Sequence, residues 1–462
     1  MREVRIRDTM SGELVALPRE GEIGIYACGP TVYSRIHIGN ARPFVVFMLL
    51  ARFLRSEGYP ARLAINVTDI NDKIYAAAAE RGIASADLAA EMTAAYFEDT
   101  GRLGLGRPDA EPLATATIGP IVELIADLVE QGHAYESGGD VYFSVRSFAD
   151  YGKLSHRPTV EMEQGEGDDA GSLKRDPLDF ALWKARKPGE DSSWESPWGP
   201  GRPGWHIECS AMAEAELGQP FTIHGGGSDL VFPHHENEIA QSEAARKTEL
   251  ARIWMHNGMI ETGSEKMSKS VGNIFQLSQA LDVYGAETVV AYLVSGHYRQ
   301  PLAFGEGPLE QAAAGNERLR NFLRENPPGG DDQGTGGVAP GGEADAAAGR
   351  FRDALADDFN TPRAMREAFD LVRAANQRPD DPALAGAGAV LAGMLDLVGL
   401  GSLAAGREEG PDEGARALLE ARNAARDSRD WVRADEIRDQ LAELGWEVRD
   451  GVEGARLIPR GG

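Results

Sequence analysis

The chain predicts an α/β protein built on an open parallel sheet, interrupted by an insertion and followed by helices and a small terminal segment. Three observations predict it. The apolar run Ile23 to Ala27 ends in Cys28-Gly29-Pro30-Thr31-Val32-Tyr33, and His37-Ile38-Gly39-Asn40 then opens a long apolar segment, Pro43 to Leu54. That order reads as a buried strand, a tight polar turn and a helix N-terminus whose backbone is free to approach an anion. A second apolar run, Arg62 to Val67, closes on Thr68-Asp69-Ile70-Asn71-Asp72 and completes a β-α-β unit. Such units build open sheets that bind ligands at strand carboxyl ends. The sheet pattern then resumes only at Phe221-Thr222-Ile223-His224, so the residues between split the sheet.

The elements follow in order. Residues 73–131 carry helical periodicity with Ala-rich faces, and Ala134 to Phe143 reads as a hairpin around Gly138-Gly139. The acidic stretch Glu161 to Gly171 reads as a mobile loop. Gly225-Gly226-Gly227 reads as a turn after the strand that ends at His224, and Ile253 to Ile260 as another strand leading into Lys266-Met267-Ser268-Lys269-Ser270. Helices dominate from there. A Pro/Gly/Asp-rich linker is expected at 326–346, a helix start at Thr361-Pro362, a second linker from Gly406 to Gly414, and a hairpin at Asp450-Gly451. The expected domains are 1–305, with the insertion at about 100–200, then 306–400 and 415–462.

Composition narrows the class. An apolar share of 42% and a charged share of 26% are ordinary for globular protein. No apolar run approaches the ~18 residues of a membrane span, and Met1-Arg2-Glu3-Val4-Arg5 lacks a secretory apolar core. Two cysteines cannot form a disulfide framework, so a cytoplasmic protein is expected. The net charge of −26 argues against a nucleic-acid partner unless positive charge is local.

Cys28, Cys209 and Pro233-His234-His235-Glu236-Asn237-Glu238 hold the softer potential ligands. With a helix from Pro233, His234 and Glu238 share a face, whereas His235 meets the apolar Ile239, so His234 is preferred. Two thiolates, an imidazole and a carboxylate suit Zn2+. Spacing alone nevertheless favours two buried free cysteines and a charged helix start.

The segment from Cys28 to Asn40, together with Lys266 to Ser270, resembles the two nucleotide-binding signatures of class I aminoacyl-tRNA synthetases. With Cys28, Gly204-Trp205-His206-Ile207-Glu208-Cys209-Ser210 and Pro233 to Glu238 added, the chain resembles the cysteinyl-tRNA synthetase family over nearly its whole length. The resemblance implies a Rossmann-type catalytic domain, a helical tRNA stem-contact domain and a small α+β anticodon-binding module. It also implies ATP-dependent ligation of L-cysteine to tRNA(Cys) through a cysteinyl-adenylate, in a monomer. One Zn2+ held by Cys28, Cys209, His234 and Glu238 is implied, with Mg2+ accompanying ATP. The zinc would take the substrate sulfur as thiolate, which serine's alcohol cannot match. His37, Asn40, Lys266 and Lys269 are the implied catalytic groups. ATP contacts fall to His37, Gly39, Asn40, Gly225, Gly227, Asp229 and Lys269, and the amino acid's surroundings to Gly29, Thr31, Thr68 and Trp205. The family often has His where this chain has Asn40, which donates a hydrogen bond but cannot become cationic.

Residues 415–462 hold nine arginines against ten acids, a balance of −1 that makes this tail the least repulsive place for a polyanion. Arg426, Arg429, Trp431 and Arg433 cluster as a candidate RNA-stacking face, though a solvated helix with internal ion pairs explains the spacing as well. Two rivals share the ancestry. A ligase joining cysteine to an amino sugar needs no terminal module, and an inactive relative would not need both lysines.

Overall fold

A computed structural model describes residues 1–157, 173–262, 265–266, 275–328, 342–404, 413–428, 430–451 and 454–459. They fall into two compact units, Met1–Ala404 and Ala405–Gly462.

The first unit opens with an antiparallel pair, β1 (Arg5–Arg7) and β2 (Leu14–Ala16). Then comes the expected β-α-β unit, β3 (Ile23–Ala27), α1 (Ile38–Ser56) and β4 (Ala61–Ile65). All five residues of β3 are buried, as befits a strand covered on both faces. The Ala-rich stretch forms α2 (Asp72–Arg81) and α3 (Ser85–Gly101), followed by α4 (Ile118–Glu130).

The insertion is an antiparallel sheet of β5 (Ala134–Ser137), β6 (Asp140–Phe143), β7 (Phe180–Ala185) and β8 (Gly201–Pro203), in that order. Gly138 and Gly139 make the first turn at φ 65° and 88°, the left-handed pair that a two-residue hairpin demands. Next come α5 (Trp205–Leu217), β9 (Phe221–Gly227), α6 (Glu236–Arg246) and β10 (Ala251–Asn257). Phe143, Phe180 and Trp183 of the insertion share a core with Ile207 of α5 and Ala240 of α6. The insertion therefore braces the two helices that flank the site.

The central sheet is wholly parallel, in the order β10-β9-β3-β4. From β3 the chain leaves to β4 on one side, whereas β9 joins on the other only after the insertion. A topological switch point thus lies between β3 and β9, where open sheets leave a crevice at the strand ends.

Three local expectations are corrected. Gly225 to Gly227 are the last residues of β9, paired with Met255 to Asn257, and not a following turn. The strand expected to run to Ile260 stops at Asn257, and Ile260 opens β11 (Ile260–Thr262) in another sheet. The helix expected from Pro233 starts at Glu236, after an irregular turn spanning Val231–His235.

Strand β11 pairs with β12 (Glu265–Lys266), then α7 (Leu277–Tyr284) and α8 (Ala286–Leu293) lead to β13 (Leu302–Phe304), which pairs with β11 in parallel. Helices α9 (Glu306–Glu325), α10 (Glu343–Ala356), α11 (Thr361–Gln377) and α12 (Ala387–Leu397) complete the unit. Leu319, Phe351, Leu371 and Leu391 join one continuous core with Val45 and Leu49 of α1, so residue 306 begins an element without breaking the core. Of the linker expected at 326–346, the final residues belong to α10; residues 329–341 lie outside the described residues, as do Glu161 to Gly171.

In the second unit, α13 (Glu413–Asp427) and α14 (Trp431–Glu443) precede an antiparallel hairpin of β14 (Trp446–Gly451) and β15 (Gly454–Pro459). The linker expected to end at Gly414 has given way to helix by Glu413. Ala415, Ile437 and Leu441 form a small core with Trp446 and Leu457. The fold is the α/β parallel-sheet unit with an insertion, helices and a small α+β unit that the pattern predicts.

Candidate active site and metal centre

A cleft of about 360 Å³ opens at the switch point, lined by residues that include Cys28 to Thr31, His37, Gly39, Asn40, Trp205, Gly227 and Asp229. His37 caps α1, and the Asn40 Oδ1 accepts from its N–H at 3.3 Å. The positive end of the α1 dipole therefore borders the cleft. Gly39 leaves room for the imidazole beside it, since a Cβ there would stand 2.8 Å from the His37 ring and the ring would have to shift. Gly29 abuts a second segment: a Cβ would stand 1.7 Å from the Asn66 carbonyl oxygen, while its N–H donates to the Asn66 side chain at 2.9 Å.

Four buried side chains converge around Cys28, which lines the cleft. Ligand atoms of Cys28 (end of β3), Cys209 (α5), His234 and Glu238 (α6) all lie within 4.8 Å of one another, and all four residues are buried. Glu238 Oε1 lies 3.1 Å from His234 Nε2 and 3.5 Å from Cys28 Sγ. A tetrahedral zinc with bonds of about 2.0–2.3 Å needs ligand atoms roughly 3.3–3.8 Å apart, so the donor set and its spacing fit the ion. The supporting shell fits too: the other nitrogen of His234 meets His206 Nδ1 at 2.9 Å, and Trp205 stacks on the His234 ring at 4.4 Å.

Burial pushes the Cys28 thiol well up. Cys209 is drawn down most by its hydrogen bond with Cys28, but burial and the carboxylates of Glu238 and Glu208 leave it raised. Burial lowers His234 to about 3, so its imidazole is neutral and offers a lone pair. Among the described residues the buried Glu238 carboxylate is surrounded by thiols and imidazoles, and a metal would bring it a full positive charge.

Sequence reasoning missed a second set. His224, in the middle of β9, and His235 also come within 4.8 Å of Cys28 and Glu238. His224 Nε2 meets Glu238 Oε2 at 2.8 Å, and His235 Nε2 meets Cys28 Sγ at 3.4 Å. His235 is disfavoured only in a helix that begins at Pro233. Because α6 starts at Glu236, both histidines precede it and the spacing to Ile239 no longer selects between them. The signal available was His224 ending an apolar strand ahead of glycines.

The other expected residues separate. Thr31 bridges to Thr68, which is buried with its hydroxyl 3.2 Å from Asn66 Nδ2. Gly225 does not border the cleft but lies under α1, where a Cβ would stand 2.0 Å from Phe47. The backbone of Lys266 lies on β12, while Lys269 lies outside the described residues. In the second unit, the Arg426 guanidinium sits 5.9 Å over the ring of Trp431, which is 57% exposed. Arg433 pairs with Glu436 at 2.9 Å, and Arg429 lies outside the described residues.

Residues 15–314 match the model of the tRNA synthetases class I (C) catalytic domain, 350–400 a DALR domain, and 409–456 the cysteinyl-tRNA ligase anticodon binding domain. A methionyl-tRNA synthetase of Mycobacterium tuberculosis bound by methionyl-adenylate superposes with a TM-score of 0.60 at 16% identity, over 95% of this chain and 99% of that one. A leucyl-tRNA synthetase of Agrobacterium radiobacter gives 0.61 at 12% identity, over 85% and 86%. Sheet, switch-point cleft and catalytic-domain match together define a class I aminoacyl-tRNA synthetase. The cysteine–tRNA ligase of Heliobacterium modesticaldum is 44% identical over 98% of this chain and 99% of its own length. That of Yersinia pestis is 47% identical over 94% of both. The chain belongs to the cysteine–tRNA ligase family and is a ligase. Among the described residues no helix is long and apolar enough to cross a membrane.

Proposed function

We propose that the enzyme joins L-cysteine to tRNA(Cys) in two steps, through a cysteinyl-adenylate formed from Mg2+–ATP, as a cytoplasmic monomer. The observation that carries this reading is the buried Cys28, Cys209, His234 and Glu238 cluster, whose Cys28 lines the cleft that the His37 turn also borders. Those four residues would hold Zn2+, with His224 and His235 beside them. Bound there, the ion supplies a soft position for the substrate thiolate, an interaction that serine's hydroxyl does not reproduce.

The remaining work falls to the chain. Gly29, Thr31 and Trp205 border the amino acid, and buried Thr68 holds Thr31 through the strand-like bridge between them. The first turn of α1, with His37, Gly39 and Asn40, faces the phosphates with N–H dipoles already in place. Asp229 and Gly227 serve the ribose, while Lys266 and Lys269 balance charge as pyrophosphate leaves. Catalysis is positioning and electrostatics. The Arg426–Trp431 face, with Arg429 and Arg433 near in sequence, serves the anticodon.

Cysteine-dependent ATP–pyrophosphate exchange tests the reading. Cys209→Ser should bind less zinc and lose preference for cysteine over serine by at least ~100-fold. In the cobalt-substituted parent, added cysteine should raise thiolate charge-transfer absorption. An unchanged spectrum at saturating cysteine would remove metal-based selection.

A further inference from the structure

Arg42 stands on the second turn of α1, 1% exposed, and among the described residues no carboxylate pairs with it. Burial lowers its guanidinium to about 10. Burying a cation without a counter-charge is costly, so its contacts need a reason. They are three main-chain carbonyls: Nη1 donates to Gly258 O at 2.5 Å and Gln300 O at 2.8 Å, and Nη2 to His297 O at 3.0 Å.

Those carbonyls belong to two approaches to one sheet. Gly258 lies two residues before β11, and Gln300 two before β13. The strands pair from Ile260 and Leu302 onward. The two approaches touch, since a Cβ on Gly258 would stand 2.3 Å from the Gln300 carbonyl. Strand β11 then pairs back with β12, which ends at Lys266. Gly258 and Met259 also line the cleft that His37 and Asn40 border.

We infer that Arg42 is a positioning residue for the adenylation step, its fork fixing the base of the β11–β12 hairpin, and so Lys266, against the N-terminal turn of α1. The inference rests on the proposed role of Lys266 in balancing charge on the leaving pyrophosphate. A planar fork with several donors can hold three carbonyls in fixed directions, whereas a lysine ammonium is a compact point charge on a flexible stem. A displacement near 1 Å at the reacting groups costs about 100-fold in rate.

A double-mutant cycle on the full chain tests it. Arg42→Met should lower the kcat of pyrophosphate exchange about 100-fold in the parent, but by roughly threefold or less in Lys266→Ala, because both changes remove one effect. The cysteine-induced cobalt spectrum should persist in Arg42→Met, which a general loss of structure would abolish. If Arg42→Met does not fold, Arg42→Lys is carried through the same cycle. Equal factors in both backgrounds, with Lys266→Ala itself slow, would overturn the inference alone. Parental exchange by Lys266→Ala would remove the lysine's role and this inference with it.

Discussion

Gly225 and Gly29 illustrate what a residue does when it has no side chain. At Gly225 a methyl group would stand 2.0 Å from Phe47 Cζ and 2.8 Å from the Met255 carbonyl. Helix α1 crosses the sheet here with no room to spare, and α1 carries His37. Gly225→Ala should therefore destabilise the first unit by about 1–3 kcal/mol through overpacking, measured as a lower urea midpoint at unchanged slope. Parental stability would mean that α1 can shift without cost. The sequence showed the glycines as a turn after the strand and could not show Phe47 packed against Gly225, because a glycine reveals that a side chain is missing and not what fills its place. Spacing alone did not bring Cys28, Cys209, His234 and Glu238 together; the resemblance did, and their ligand atoms gather within 4.8 Å of one another. His224 and His235 were not legible, since their contact with Cys28 depends on where α6 begins.

At the scale of elements, periodicity and turn chemistry found β3, α1, β4 and the Gly138-Gly139 hairpin, all governed by neighbours a few residues apart. Long-range ties lay beyond such reading. Helix α3 has no capping side chain at Ala84. Its first residue, Ser85, instead donates to Asp191 of the insertion, from the backbone at 2.7 Å and from the hydroxyl at 2.5 Å. The Ser85 hydroxyl and N–H hold the Asp191 carboxyl below the usual carboxylate range. A carboxylate with a depressed folded pKa adds stability above its unfolded value of about 3.9, and that stability is lost as pH falls through the folded value. Asp191→Asn should thus lower Tm at pH 6, with the gap to the parent closing as pH drops below about 4. A gap that stayed constant from pH 6 to pH 3 would show that the charge of Asp191 contributes nothing.

For the whole molecule, the division of labour follows from cores built within each unit and an uneven charge. The main core is built from residues of the first unit alone, and the small core of Ala415, Ile437 and Leu441 belongs wholly to the second. Of the net −26, residues 415–462 carry only −1, so most of the repulsion toward RNA lies elsewhere and attraction must be local. The exposed Trp431 with Arg426 over its ring offers a stacking surface of the kind that splayed bases use. Among the described residues, none from 405–462 belongs to the main core or lines the cleft. The shortened chain should keep pyrophosphate exchange within about twofold of the parent, since its activation site is intact. Aminoacylation should lose roughly 100-fold in kcat/KM for tRNA, equivalent to about 3 kcal/mol of missing recognition. Trp431→Ala in the full chain should show a smaller loss of the same kind, about 1–3 kcal/mol for one stacked base, again without touching exchange. If truncation lowered both activities by the same factor, the second unit would be supporting the fold of the first, and its assignment to the anticodon would have to be given up.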